Sequence, residues 1–193
     1  MHSFNGNVFD EQEFENLDCS GQDLTDFIFR DCSFVACNFA DAKLSKSQWS
    51  DCELRDCNFS NARLYDARFS DVAFNSCKLA GIDFTTCNQL LFSISLSNSS
   101  APYCIFQGMD LTGCRLTDSE LLDCVFEGTT LKRVDFRNSN LKGADFVRAD
   151  LSQADLRGAT GYRIDPAESR VTKARFSYPE VLVLLDSFGV VVE

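Results

Sequence analysis

Apolar residues recur along this chain with a period that neither regular secondary structure explains. Every fifth residue from Phe4 to Phe84 forms the set Phe4, Phe9, Phe14, Cys19, Leu24, Phe29, Phe34, Phe39, Leu44, Trp49, Leu54, Phe59, Leu64, Phe69, Phe74, Leu79 and Phe84. Sixteen of these seventeen are Phe, Leu or Trp. The phase then moves by two residues, and all eleven positions from Phe106 to Leu156 are Phe or Leu. An α-helix repeats every 3.6 residues and a strand every 2, so a period of five calls for a different architecture. Two residues before each centre stands a smaller residue, as in Cys32, Cys37, Ala42, Cys52, Ala144, Ala149 and Ala154. The unit is small–polar–Phe/Leu–polar–polar, for example Ala144-Asp145-Phe146-Val147-Arg148. Two inward side chains per unit cannot bury a core within one turn of chain, so stability must come from stacking successive turns.

Over residues 4–160 this pattern resembles the pentapeptide-repeat family. The resemblance implies an all-β solenoid, a right-handed quadrilateral β-helix in which each pentapeptide makes one side of a square. Four units then make a coil of about 20 residues, and about eight coils stacked at ~4.8 Å make a rod nearly 40 Å long. The expected organisation is a β-helix over residues 1–160, followed by a last coil, a short helix and a tail over 161–193. The phase break suggests an outward loop at Ser95–Tyr103, where small polar residues and Pro102 cluster. That loop is either a tolerated insertion or a binding element, with Ser97, Asn98, Ser99, Ser100 and Pro102 as candidate contacts.

The C-terminus predicts a cap. Ser177-Tyr178-Pro179-Glu180 has the form of a capping box, which opens a helix over 178–188. Val181, Leu184, Leu185 and Phe188 give that helix one apolar stripe, and Gly189 is placed to end it. The helix either plugs its own rod or pairs with a second copy through Val181, Leu184, Leu185, Phe188, Val190 and Val192. The second arrangement is the expected one. This ending, with the Tyr162–Pro166 exit, the Phe176–Glu180 helix start, Leu184-Leu185 and the final valines, is similar to the topoisomerase-protecting branch of the family. Qnr quinolone-resistance, microcin-immunity and albicidin-resistance proteins belong to that branch. The resemblance implies a cytoplasmic homodimer that binds DNA gyrase or another type II topoisomerase and protects it from a quinolone or toxin.

Charge gives that target a physical form. The 193 residues carry a net charge of −11. Residues 1–95 hold 15 acidic and 7 basic side chains, and residues 96–193 hold 14 and 11. Such a surface repels nucleic acid and anionic membranes and attracts basic partners. With a 20-residue coil, Glu11, Asp31, Asp51 and Asp71 fall on one edge as a line of carboxylates, and Asp26 and Asp66 share a neighbouring edge. These acids suit turn positions through bonds to nearby backbone N–H groups. They also give a slim rod a DNA-like field. A metal or redox role for the ten cysteines is not expected: nine occupy the small inward position, and five-residue spacing matches no zinc pattern. The sole histidine is His2, and no nucleophile–base set or phosphate-binding loop can be assembled. No catalytic residue, metal or cofactor is expected. The N-terminus shows no apolar signal segment and no span is long enough to cross a bilayer.

Overall fold

In the computed structural model, which describes residues 4–191, the chain winds into a right-handed quadrilateral β-helix of parallel strands. Val8–Asp10, Ile28–Arg30, Gln48–Ser50 and Arg68–Ser70 stack in that order as one four-stranded parallel sheet. A second face stacks six strands: Glu13–Glu15, Ser33–Val35, Glu53–Arg55, Val72–Asn75, Ile94–Ser97 and Arg115–Thr117. Asp155–Leu156 and Arg175–Phe176 pair further down the rod. Single bridges such as Asp18↔Asn38 and Val125↔Asp145 join the remaining sides with the same step. Neighbouring coils therefore hydrogen-bond residue n to residue n+20, as the five-residue period requires.

The interior follows from the two inward positions per side. The central residues Phe29, Phe34, Phe39, Trp49, Phe126 and Leu151 are completely buried. Equivalent rings lie directly above one another: Phe84, Phe106, Phe126 and Phe146 stack with centroids 4.8, 5.2 and 5.2 Å apart and are nearly parallel. That spacing is close to the inter-strand repeat, so the backbone ladder sets the ring stack. Trp49 keeps its indole N–H satisfied inside the core by donating to Ser47 Oγ at 2.9 Å, and Ser47 donates to the Leu44 carbonyl.

Each side ends at a corner where the backbone enters the left-handed region. Twenty-three described non-glycine residues have positive φ, and thirteen of them are Asp or Asn. An L-residue there brings Cβ against a carbonyl oxygen at a cost of roughly 1 kcal/mol or more, which Asp and Asn tolerate best. The repeat's polar positions are thus chosen by corner geometry as well as by solvent.

The phase break lies elsewhere than the sequence suggests. Asn88 still occupies the place that Arg68 holds one coil earlier, its N–H donating to the Ala67 carbonyl as that of Arg68 does to Ser47. Ile94 pairs with Val72 at a step of 22. The two extra residues therefore sit within 89–93, where Leu90 and Leu91 protrude with 73% and 75% of their surface exposed. Ser95–Tyr103 is not a loop. Ser97 closes a strand, Asn98 and Tyr103 are left-handed corners, and Ser100 bridges Lys78 and Glu120. The Pro102 carbonyl accepts from Gly81 N–H, in the same ladder that joins the other coils. Ser99 is a buried core group at the small inward position, accepting from Cys77 N–H and donating to the Ser97 carbonyl. Small polar residues there read as a loop because this coil carries Ser in place of Cys, and Ala101 in place of a large centre.

The C-terminal helix spans Glu180–Phe188 and is a 3-10 helix. The expected capping box does not form: Ser177 accepts from Gly158 N–H, Pro179 stands at the cap, and no side chain caps the helix. Gly189 ends it in the left-handed conformation. Val183 and Leu184 rest against the core, yet no residue of the helix is fully buried. Tyr162 closes the core below, its ring 5.7 Å from that of Phe176. Val192 lies outside the described residues.

Truncating a ring inside the stack tests this packing. Phe106→Ala should destabilise the rod by about 3–5 kcal/mol in urea denaturation, because rigid coils above and below cannot close the cavity. Tyr65→Ala, at a side chain 67% exposed, should change the midpoint little.

Candidate functional site: a charged corner column

The acids predicted to share an edge do so. Asp31 N–H donates to the Ser50 carbonyl and Asp51 N–H to the Ser70 carbonyl, and Glu11 repeats the pattern one coil higher at Arg30. Glu11, Asp31, Asp51 and Asp71 all have φ near +50° and all are exposed. Their corner role is conformational: among the described residues, no backbone N–H donates to any of the four carboxylates. The bonds that sequence reasoning assigned to them are made by a different set. Asp18, Asp23, Asp110 and Asp150 each take the N–H two residues on. The hydroxyls of Ser20, Thr25 and Thr112 are the main influence holding the first three carboxyls below the usual range, helped by those N–H groups and, at Asp23, by the Lys43 ammonium. At Asp150 burial is the largest single influence and opposes the shift, but bonds from Ser152 together with the charges of Lys132 and Arg170 still hold its carboxyl below the usual range. The ladder carboxylates of Glu11, Asp31 and Asp51 face outward with no ion-pair partner among the described residues. Asp71 accepts from Ser93 Oγ at 2.9 Å. On the neighbouring edge, Asp26 and Asp66 are separated by Lys46, so that edge is not a continuous acidic line. Asp66 is half-buried and accepts from Asn88.

Below the insertion the same column changes sign, which sequence reasoning missed. Asp71 is followed by Ser93, because Val72 pairs with Ile94. Ser95 pairs with Arg115, so Gly113 comes next, and then Arg133, Gln153 and Lys173. Arg133, Gln153 and Lys173 have φ of 56°, 63° and 60°. Counting on from Ser93 coil by coil finds them in the sequence, but a break placed at Ser95–Tyr103 hides that starting point.

The remaining candidates are structural. All ten cysteines are buried and free, and no metal-holding group of His, Cys, Asp and Glu occurs among the described residues. Cys37, Cys57, Cys77, Ser99, Ser119 and Ser139 form one interior ladder in which backbone N–H groups donate to the side chain of the next coil, for example Cys37 N–H to Cys57 Sγ and Ser119 N–H to Ser139 Oγ. This explains why Cys gives way to Ser at one position: both are small acceptors and donors. Leu90 and Leu91 are the most exposed apolar pair on the sides of the rod. Tyr178, Phe188, Val190 and Val191 form another outward apolar group at the C-terminal end, with 80%, 61%, 49% and 83% of their surface exposed. No helix of the described residues is long and apolar enough to cross a membrane.

A closed parallel coil with paired inward residues and charged corners defines a β-solenoid of the pentapeptide class. Sequence comparison agrees: the family description "Pentapeptide repeat region" matches residues 3–84 and 27–100, and "Pentapeptide repeats (8 copies)" matches 119–158. The chain belongs to the pentapeptide-repeat family. No relative was found among curated protein sequences. Among solved structures it is similar to a trypsin-treated variant of QnrB1, a plasmid-mediated fluoroquinolone resistance protein, with a TM-score of 0.74 and 20% identity over 96% of this chain and 90% of the other. Full-length QnrB1 aligns at 0.68 and 19% identity, over 95% and 90% of the two chains. HetL from the cyanobacterium Nostoc sp., involved in heterocyst differentiation regulation, aligns at 0.63 with 22% identity over 88% and 85%. At these identities the likeness is one of fold.

The buried thiols give a pH prediction. Burial pushes Cys19 up to about 11 and Cys52 up to about 12, from an ordinary value of 9.0. Above pH 9 the unfolded chain releases protons that the folded chain keeps. This stabilisation is therefore complete below pH 9 and declines as pH rises from 9 to 12. Circular-dichroism melts should show Tm falling across that window, and a thiol reagent near neutral pH should react only on unfolding.

Proposed function

We propose that this chain is a DNA-mimicking protein that binds a type II topoisomerase, with DNA gyrase the first target to test, and protects it from a quinolone-like or toxin poison. The observation that carries this reading is the outward column Glu11–Asp31–Asp51–Asp71 on a slim rod. Its carboxylates are not tied to the backbone, and they repeat at the coil spacing of ~4.8 Å. Duplex DNA presents one charge per ~1.7 Å of axis, so a basic DNA-binding groove meets a sparser line of the same sign here. The overlay on QnrB1, a fluoroquinolone resistance protein, supports the same reading. This reading assigns recognition to the acidic corner, because residues 97–102 form a coil wall and no protruding binding loop.

On this reading the protein acts in the cytoplasm without contacting nucleic acid or membrane, and it needs no cofactor. It works as a homodimer joined at the C-terminal ends. Val181, Leu184 and Leu185 stay half-buried while Phe188 and Val190 are exposed, so the helix presents an apolar face that its own rod leaves uncovered. Phe188→Asp should halve the mass seen in sedimentation while leaving the β-helix spectrum intact.

A second reading is a non-catalytic scaffold for an unrelated partner. The similar fold of HetL, a protein involved in differentiation regulation, favours it. Gyrase cleavage and supercoiling assays with a quinolone decide between the two. The proposal expects reduced cleavage or rescued supercoiling at near-stoichiometric protein. Asp31→Asn, Asp51→Asn and Asp71→Asn together should weaken that effect at least about tenfold and flatten its salt dependence. The fold should survive, because Asn suits the same left-handed corners. No effect on several topoisomerases and poisons would leave the scaffold reading.

A further inference from the structure

The charged column has a symmetry that neither the fold nor topoisomerase binding accounts for. Corner geometry explains Asp31, Asp51 and Asp71, since Asp is favoured at positive φ. It opposes Arg133, Gln153 and Lys173, which sit at equally left-handed corners with no compensating backbone preference. Mimicry of DNA does not explain them either, because cations on the acidic edge repel a basic groove. Arg133 and Lys173 are exposed and form no ion pair among the described residues.

Counted in coils from Ser93, two of the four levels are opposed in charge, while Asp71 and Asp31 have the neutral counterparts Gly113 and Gln153. Asp51 lies two coils above Ser93 and Arg133 two coils below; Glu11 lies four above and Lys173 four below. At the centre, beside Ser93, the inserted segment carries Leu90 and Leu91 into solvent. The geometry points to a second copy of this chain as the partner of this edge, bound side by side and antiparallel. A two-fold axis level with Ser93 sets Asp51 against Arg133 of the second copy and Glu11 against its Lys173, each pair occurring twice. It also brings the two Leu90–Leu91 loops together at the dyad, covering this outward apolar pair. On the adjoining row Glu13 meets Arg175, and the one like-charged pair is Glu53 with Asp135, whose carboxylate is already held by Arg137 at 2.7 Å. This contact is separate from the C-terminal face. It also covers the acidic column, so the paired form withholds from a basic partner the edge that the single rod presents.

Sedimentation velocity and small-angle scattering of the full chain test this, at about 0.02 M and about 0.5 M salt, where exposed charges interact over longer and shorter ranges than the ~8 Å of physiological salt. Phe188→Asp is present throughout to remove end-to-end pairing. The expected result is a low-salt dimer that keeps the length of the single rod, doubles its thickness and dissociates at high salt. Arg133→Asp should weaken it by about tenfold or more, because each symmetric dimer loses two pairs at once. That variant should fold at least as stably as the parent, since Asp suits the corner, so loss of pairing is not loss of fold. Adding Asp51→Arg to Arg133→Asp reverses both partners and should restore the dimer. A monomer at low salt, a dimer indifferent to salt and to Arg133→Asp, or failure of the double reversal would each overturn the proposal. Gyrase protection is read in a separate assay, so failure of this pairing and failure of that reading are distinguishable.

Discussion

Everything in this molecule depends on backbone hydrogen bonding between coils that are nearly all the same length. Each coil donates and accepts along its circumference to the coils above and below, so no coil stands without its neighbours. That ladder fixes a repeat of ~4.8 Å, and every side-chain stack inherits it. Phe84, Phe106, Phe126 and Phe146 form a ring stack because their backbone is already at stacking distance. The Cys/Ser ladder exists for the same reason, with each small polar group meeting the amide of the coil next to it.

The cost of this regularity falls on the corners. Turning the chain four times per coil puts many residues at positive φ, and the easiest residues there are Gly, Asn and Asp. Acidity is therefore partly a by-product of the fold, and an acidic edge alone says little about a partner. The informative corners are those that depart from the preference. Arg133 and Lys173 accept an unfavourable backbone, and they do so on the edge whose upper half is acidic. The insertion at 89–93 acts in the same place, shifting the register by two and lifting Leu90 and Leu91 off the wall.

A rigid rod with charge arranged by coil number offers a different kind of surface from a pocket-based protein. Its recognition elements are lines with a fixed repeat, and single substitutions change one step of the line without disturbing the rest. The upper half of the charged edge is acidic and the lower half carries Arg133 and Lys173, which gives the edge a polarity that a uniform polyanion lacks. The C-terminal helix, partly packed on the core, leaves exposed apolar side chains such as Phe188 at the end of the rod.

Much of the fold was legible in the residues, because a five-residue period with two inward positions permits one architecture and each Phe or Leu declares its coil. The small inward set, the harmless burial of the cysteines and the alignment of Glu11, Asp31, Asp51 and Asp71 followed from the same count. The site was legible only down to Asp71. Where the period slips, sequence cannot tell a corner loop from a coil built of small residues: Ser99 and Ala101 look like loop residues and are core, while the insertion lies earlier and carries the exposed Leu90 and Leu91. The register across the insertion is decided by which amide meets which carbonyl on the neighbouring coil. The failure of Ser177 to cap has a similar origin, since its hydroxyl accepts from Gly158, which belongs to the preceding coil. The sequence by itself determined the coil and its contents. Tertiary structure alone decided which corners share a line below the break, because stacking, not spacing, aligns them.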